Sequence, residues 1–420
     1  MNERATLERN LRLYVWHQLA AQTLFWGPIF FLFFSERFPV EQVLQLGAIY
    51  YVSVVALEVP SGYFSDRISR VLTLRISNLA MAAAYLMFLF GGASFPAFVT
   101  AQMVLALGYA FRSGTDTSFH FDTLAALGRE EEFATREARI QRGAYLAVSA
   151  SAIVGGAVAL VELRLAYGVQ AIVTAMALAI ALALREPPRH EDGFAHPSFF
   201  GQLRDCARFA RAPFLAWVLA YFVLKTTTEH IPWEFAQPYL AAVFGESIRA
   251  VERTPLFAGL LHAAIAFVGA FAAGWSIWLR DRIGFGPALL GLLALQATLI
   301  CGMAITVSPW IAGLLVVRSV QPAAANVLVG AAIVPRVPQA LRATYQSLHS
   351  FAGRLGFAAV LFYLSGLGEP GAVADPDTMS VMLGACATLT LVGGALLVVT
   401  AGALREPENG DQANSASRTS

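Results

Sequence analysis

The chain has 420 residues, 57 % of them hydrophobic and 14 % charged, with a formal net charge of +1 and a mean hydropathy of +0.59. This is too apolar for a water-soluble protein of that length, and nothing in it reads as a nucleic-acid-binding patch. Cys206, Cys301 and Cys386 are far apart and form no CxxC pair, so neither a disulfide framework nor a metal site is suggested.

A hydrocarbon core roughly 30 Å thick needs about 20 apolar residues per helix, and backbone in it must close its own hydrogen bonds. Runs of that length predict twelve helices, at about 11–35, 40–63, 72–93, 95–124, 136–161, 163–185, 212–242, 254–279, 286–307, 309–334, 341–366 and 378–404. The first run is too long, and its approach too charged, for a cleaved signal peptide. Basic residues give the orientation. Of 29 Lys and Arg, 21 fall in alternate gaps or at the span ends that border them, the opposite side holds Arg37, Arg164, Arg249 and Arg253, and four lie deeper inside spans. Cytoplasmic loops collect Lys and Arg, so both termini are expected to be cytoplasmic.

The longest polar interruption separates spans six and seven, at 187–211. Within it Ser198 is placed to cap a short helix with Phe199, Leu203 and Cys206 on one face and Arg204, Arg208 and Arg211 on another. That pattern suits a helix lying on the membrane surface, the alternative being a solvated linker. ALREP closes each set of six spans, at 183–187 and again at 403–407. Asp66-Arg67-Ile68 and Asp281-Arg282-Ile283 also recur at matching loops. The expected organisation is therefore two parallel six-helix bundles, 1–186 and 212–405, with a disordered cytoplasmic tail at 406–420.

After the second span the chain reads Gly62-Tyr63-Phe64-Ser65-Asp66-Arg67-Ile68-Ser69-Arg70. This resembles the GxxxD(R/K)xGR(R/K) loop signature of the major facilitator superfamily, with Ser69 and Val71 departing from the pattern. Glu58-Val59-Pro60-Ser61-Gly62 resembles the E-x-P-[ST]-G ending found in a bacterial subset. So does the stretch from Ser113-Gly114-Thr115-Asp116 to Phe121-Asp122-Thr123-Leu124. The resemblance implies an all-α membrane fold of two six-helix bundles and a cytoplasmic gate. In that gate Gly62 would let helices approach, Asp66 would cap or pair across it, and Arg67 and Arg70 would anchor it, with Glu58 and Asp122 nearby. The antiporter signature of the fifth span is missing: Gly155-Gly156 is present, but no proline.

Charges within spans are costly and usually face the bundle interior. The seventh span carries Lys225, Glu229, His230, Pro232, Trp233 and Glu234, and Lys225 is the only lysine in the chain. Lys225 and Glu229 are four apart and share a helical face. Pro232 is expected to bend or break the helix beside them. Glu229 is the expected proton or cation site, tuned by Lys225, with a neutral structural pair as the alternative. Arg112 and Asp116 are an i,i+4 pair in the fourth span, with Glu58 within reach of Arg112, a group expected either to stabilise the gate or to contact substrate. Arg318 and Arg354 either pair with Glu229 or present positive charge to an anionic substrate. Of the histidines within spans, His17, His120, His230, His262 and His349, only His230 adjoins this cluster.

Enzyme signals are weak. Gly366 to Gly371 satisfies GxGxxG but lacks a βαβ context, and no Walker loop, HExxH or GxSxG occurs. The expected function is secondary transport of a small organic molecule across the bacterial cytoplasmic membrane, proton-coupled and outward. Uptake by symport and a non-transporting sensor or scaffold are the alternatives. The expected partners are the substrate, protons and the lipid bilayer; no cofactor, metal or nucleic acid is expected, and the chain is expected to act as a monomer.

Overall fold

The computed structural model describes residues 3–188, 211–244, 248–333, 339–367 and 375–404. The surface helix expected around Ser198 and the tail at 406–420 lie outside the described residues. No strand occurs among the described residues. The helices are α1 (Glu3–Ala21), α2 (Phe30–Ser35), α3 (Val40–Arg67), α4 (Arg70–Phe90), α5 (Phe95–Arg112), α6 (Thr115–Ala125), α7 (Phe133–Ala159) and α8 (Leu163–Ala183). They continue with α9 (Pro213–Phe244), α10 (Ile248–Ile283), α11 (Phe285–Ile305), α12 (Pro309–Leu314), α13 (Val320–Ile333), α14 (Gln339–Ser365) and α15 (Pro376–Val399). Among the described residues, nine helical stretches are long and apolar enough to cross a membrane.

Three expected spans are interrupted. The first breaks between α1, which ends at Ala21, and α2, which starts at Phe30, with Gly27 and Pro28 inside the break. Side chains from other helices satisfy the exposed backbone: Leu24 N donates to Ser151 Oγ at 2.8 Å and Phe25 N to Gln170 Oε1 at 3.0 Å. Gln237 of α9 accepts from Phe31 N at 2.7 Å and donates to the Gly27 carbonyl at 3.0 Å. Irregular backbone at membrane depth is tolerated only where protein supplies such partners. The fourth span breaks at Gly114, whose φ of 75° lies in the left-handed region open to glycine. The tenth is split by a 3-10 segment, Leu315–Ser319, between α12 and α13.

The seventh span departs from expectation in the other direction. Pro232 and Pro238 both lie inside one continuous helix, α9. Pro232 has no N–H for the Thr228 carbonyl one turn earlier. Gln296 Nε2 of α11 donates to that carbonyl at 3.1 Å instead, and the helix runs on.

The first expected span, α1 and α2 together, runs alongside α9 and meets it where Gln237 contacts Phe31 of α2. At this, the far end of the molecule, the halves share one apolar core, which joins Phe30, Phe33 and Phe98 to Ile231, Phe235, Phe357 and Met382. Toward the near end the cores separate. Tyr14, Leu74, Phe119 and Ile140 form one, and Leu215, Tyr221, Leu292 and Leu328 belong to the other. Beside the shared core, to which Ala159 and Ala258 belong, α7 and α10 meet backbone to backbone: a Cβ on Gly156 would collide with the Pro255 carbonyl oxygen, and one on Gly259 with that of Ala152. Small residues permit this approach.

Candidate functional site

The continuous α9 presents its polar stretch to the junction of the halves. Lys225 Nζ lies 2.7 Å from Glu229 Oε2 and donates to Asn326 Oδ1 at 2.9 Å. His230 Nδ1 lies 2.6 Å from the Thr226 carbonyl, and its ring packs on Tyr51 and Phe357. One turn further along, Glu234 is 5 % exposed. It lines a cavity with Trp26, Phe30, Tyr50, Tyr51, Gln102 and Trp233, enclosing about 440 Å³ of space free of protein atoms, part of it open to solvent. Among the described residues Glu234 meets no hydrogen-bond donor and no cation. Phe30 and Trp233 stack across the two halves at 5.9 Å between ring centroids.

Trp233 also borders a second cavity, lined by Gly27, Gln237, His262 and Arg318. Arg318 sits in the 3-10 segment, 8 % exposed, with its guanidinium carbon 4.9 Å from the centre of the Trp233 indole. The His262 ring meets the same indole edge-on at 4.9 Å.

Several expected pairings are replaced by others. Glu58 pairs with Arg354 of α14 at 3.3 Å and not with Arg112. Arg112 donates to the Ala21 carbonyl. Asp116 is not its i,i+4 partner, because Gly114 ends the helix between them. The Asp116 carboxylate accepts instead from Gln18 Nε2 at 2.9 Å and Thr117 N at 2.8 Å.

At the near end, Arg70 Nε lies 2.8 Å from Asp122 Oδ2, within the first half. Glu186 accepts from Ser69 Oγ at 2.6 Å and from Arg70 N and Val71 N at 2.9 Å, capping α4. A glutamate of the repeated ALREP thus closes the loop that carries the motif. Among the described residues, nothing lies within 4 Å of a Cβ built on Gly62. Asp66 and Arg67 belong to α3, and their side chains fall outside the described residues. Glu132, between Arg129 at 2.6 Å and Arg136 at 2.7 Å, has its carboxyl pulled down to about 2, first by the hydrogen bonds from Arg129 and then by those from Arg136.

Sequence reasoning singled out Glu229 through its spacing from Lys225 and passed over Glu234. The available signal was a third formally charged side chain in one apolar span, with only a histidine, His230, three or four residues away.

Broken helices, a charged interior and a cavity where two halves meet define a polytopic membrane transporter. The family model of the Major Facilitator Superfamily matches residues 18–361, and the chain belongs to that superfamily; it is a multi-pass membrane transporter and not an enzyme. Among solved structures, a mutant form of the nucleoside transporter NupG superposes with a TM-score of 0.75 at 14 % identity, covering 94 % of this chain and 99 % of that one. A bacterial homologue of the human lysosomal transporter Spinster, inward-facing and occupied, gives 0.68 at 16 % identity, covering 96 % and 98 %. A D-xylose-proton symporter gives 0.65 at 13 % identity, covering 92 % and 95 %. At these identities the likeness concerns the fold alone. No curated protein matches the chain by sequence.

Proposed function

We propose that the protein is a proton-coupled secondary transporter that moves a small organic molecule across the cytoplasmic membrane, with Glu234 as the group that takes up and releases the coupling proton. The observation that carries this reading is a carboxyl group 5 % exposed, facing a cavity at the junction of the halves, with no partner for its charge among the described residues. An unpaired charge buried in this way is costly, and taking a proton removes it. A change of surroundings during the cycle would release the proton again. Glu229 differs, because Lys225 already balances its charge at 2.7 Å.

Residues 1–186 would rock against 212–405, with 187–211 as the linker and 406–420 as a tail, both termini cytoplasmic and the chain acting as a monomer. A core shared at the far end and divided at the near end suits a conformation open toward the cytoplasm. The tight contact of α7 with α10 would serve as a pivot. Export is the proposed direction, and it rests on the family resemblance.

The test is proton movement in inverted membrane vesicles carrying the protein, followed with a pH-sensitive dye against a panel of drugs, sugars and organic acids. A compound that dissipates an imposed pH gradient, with the effect abolished in Glu234→Gln, supports the reading. Undiminished proton movement in Glu234→Gln sinks the assignment. The same assay on Glu229→Gln separates the two carboxylates. Substrate accumulation in right-side-out vesicles would reverse the direction.

A further inference from the structure

Four basic side chains lie deep inside the expected spans, away from their ends: Arg112, Lys225, Arg318 and Arg354. Lys225 is balanced by Glu229 at 2.7 Å, Arg354 is paired with Glu58 at 3.3 Å, and Arg112 donates to the Ala21 carbonyl. Arg318 is different. It is 8 % exposed, and its Nε is buried without a partner. Among the described residues its guanidinium meets no carboxylate and no carbonyl. Glu229 is near enough for Arg318 to feel its charge, but that carboxylate is held by Lys225. A guanidinium stays charged in proteins, so Arg318 cannot escape its burial by losing a proton as a carboxyl group can by gaining one.

The surroundings of Arg318 are built for the apolar part of a ligand. The Trp233 indole lies against the guanidinium at 4.9 Å and His262 stands edge-on to the same ring. Leu261 and Ile265 add apolar wall to the cavity that Arg318 lines, which is partly open to solvent. Gln237 is committed to the α1–α2 break through both its amide atoms. The charge left for a ligand to answer is therefore positive, in a planar fork that matches a carboxylate. The 3-10 segment that carries Arg318 is anchored by Ser319 Oγ donating to the Ile265 carbonyl at 2.7 Å. That departure from α geometry sits where the site does, as such stretches often do.

We infer that this cavity receives the anionic end of the transported molecule, a small organic carboxylate whose apolar or aromatic body lies along Trp233, with Arg318 as its binding residue. The inference rests on the transport reading above but not on which carboxyl group carries the proton.

Purified protein in detergent is titrated by calorimetry with benzoate, phenylacetate and octanoate, and with benzamide and benzylamine as neutral and cationic counterparts. Gel filtration confirms that each variant is folded. At least one carboxylate is expected to bind, with benzamide at least tenfold weaker than benzoate if benzoate is the ligand. Arg318→Gln should lose at least tenfold in affinity. Arg318→Lys, which keeps the charge and spares the fold, should lose less. Failure of all three carboxylates to bind the folded wild type overturns the inference. So does equal binding of benzamide, a preference for benzylamine, or unchanged affinity in both Arg318 variants. Carboxylate binding without transport of any compound would leave this site standing and sink the transport reading. Proton-coupled transport of a neutral or cationic compound, without carboxylate binding, would do the reverse.

Discussion

Glu58 on α3 and Arg354 on α14 stand 3.3 Å apart, an ion pair that ties the first half of the molecule to the second. Both side chains are mostly but not fully buried, at 17 % and 29 % exposure. Their coupling belongs between that of a surface pair and that of a buried one. Glu58→Gln and Arg354→Gln should each lower stability by about 1–3 kcal/mol, and the double variant should lose less than the sum by about 1 kcal/mol. Thermal unfolding of the four proteins in detergent measures this cycle. Strictly additive losses would show that the contact contributes nothing.

The hydrogen bond from Gln296 to the Thr228 carbonyl explains why α9 survives Pro232. Removing the donor in Gln296→Leu leaves a buried carbonyl unsatisfied, at a cost of about 1–3 kcal/mol. Adding Pro232→Ala restores a backbone N–H to the same carbonyl, so the double variant should recover most of that loss. A double variant as unstable as Gln296→Leu alone would contradict this account.

Gly156 and Gly259 permit the backbone contact of α7 with α10, whereas among the described residues nothing lies within 4 Å of a Cβ built on Gly274. Gly156→Val and Gly259→Val should each cost about 1–3 kcal/mol through overpacking. Gly274→Ala should stabilise α10 by up to about 1 kcal/mol through helix propensity. Melting temperatures of the three variants rank them. Tolerance of both valines would mean that the helices are free to separate.

Asp375 caps α15, its carboxylate accepting from Asp377 N and Thr378 N at 2.9 Å each. The hydrogen bonds to Thr378, then that to Asp377, hold its carboxyl below the usual carboxylate range. A lowered folded value means that the stabilisation is complete above the unfolded value, near about 3.9, and fades as pH falls through the folded one. Asp375→Ala should therefore be less stable than wild type by about 0.5–1 kcal/mol between about pH 7 and about pH 5. Below about pH 4 the gap should close. Thermal unfolding across that range checks it, and a gap unchanged at about pH 3 would rule out the charged cap as its source.

Local spacing was a sound guide where the helix stayed intact. Lys225 and Glu229 share one turn of α9, so their separation follows from four residues of regular backbone. The same rule failed for Arg112 and Asp116, because Gly114 with φ 75° turns the chain between them. It also failed at Pro232, where a side chain from another helix supplies the missing donor. The pairing of Glu58 with Arg354 spans nearly 300 positions of chain, and no periodicity reaches that far.

Apolar run length and the motif after the second span were enough to establish an all-helical membrane protein of the major facilitator superfamily. Both are local properties: a bilayer demands about 20 apolar residues per helix whatever the neighbours are. Which buried charges are balanced was decided only by tertiary structure. Glu229 and Arg354 are neutralised by partners, while Glu234 and Arg318 face cavities on either side of Trp233. Coulombic pairing depends on distances of a few ångströms between helices, and those distances exist only once the two halves have packed.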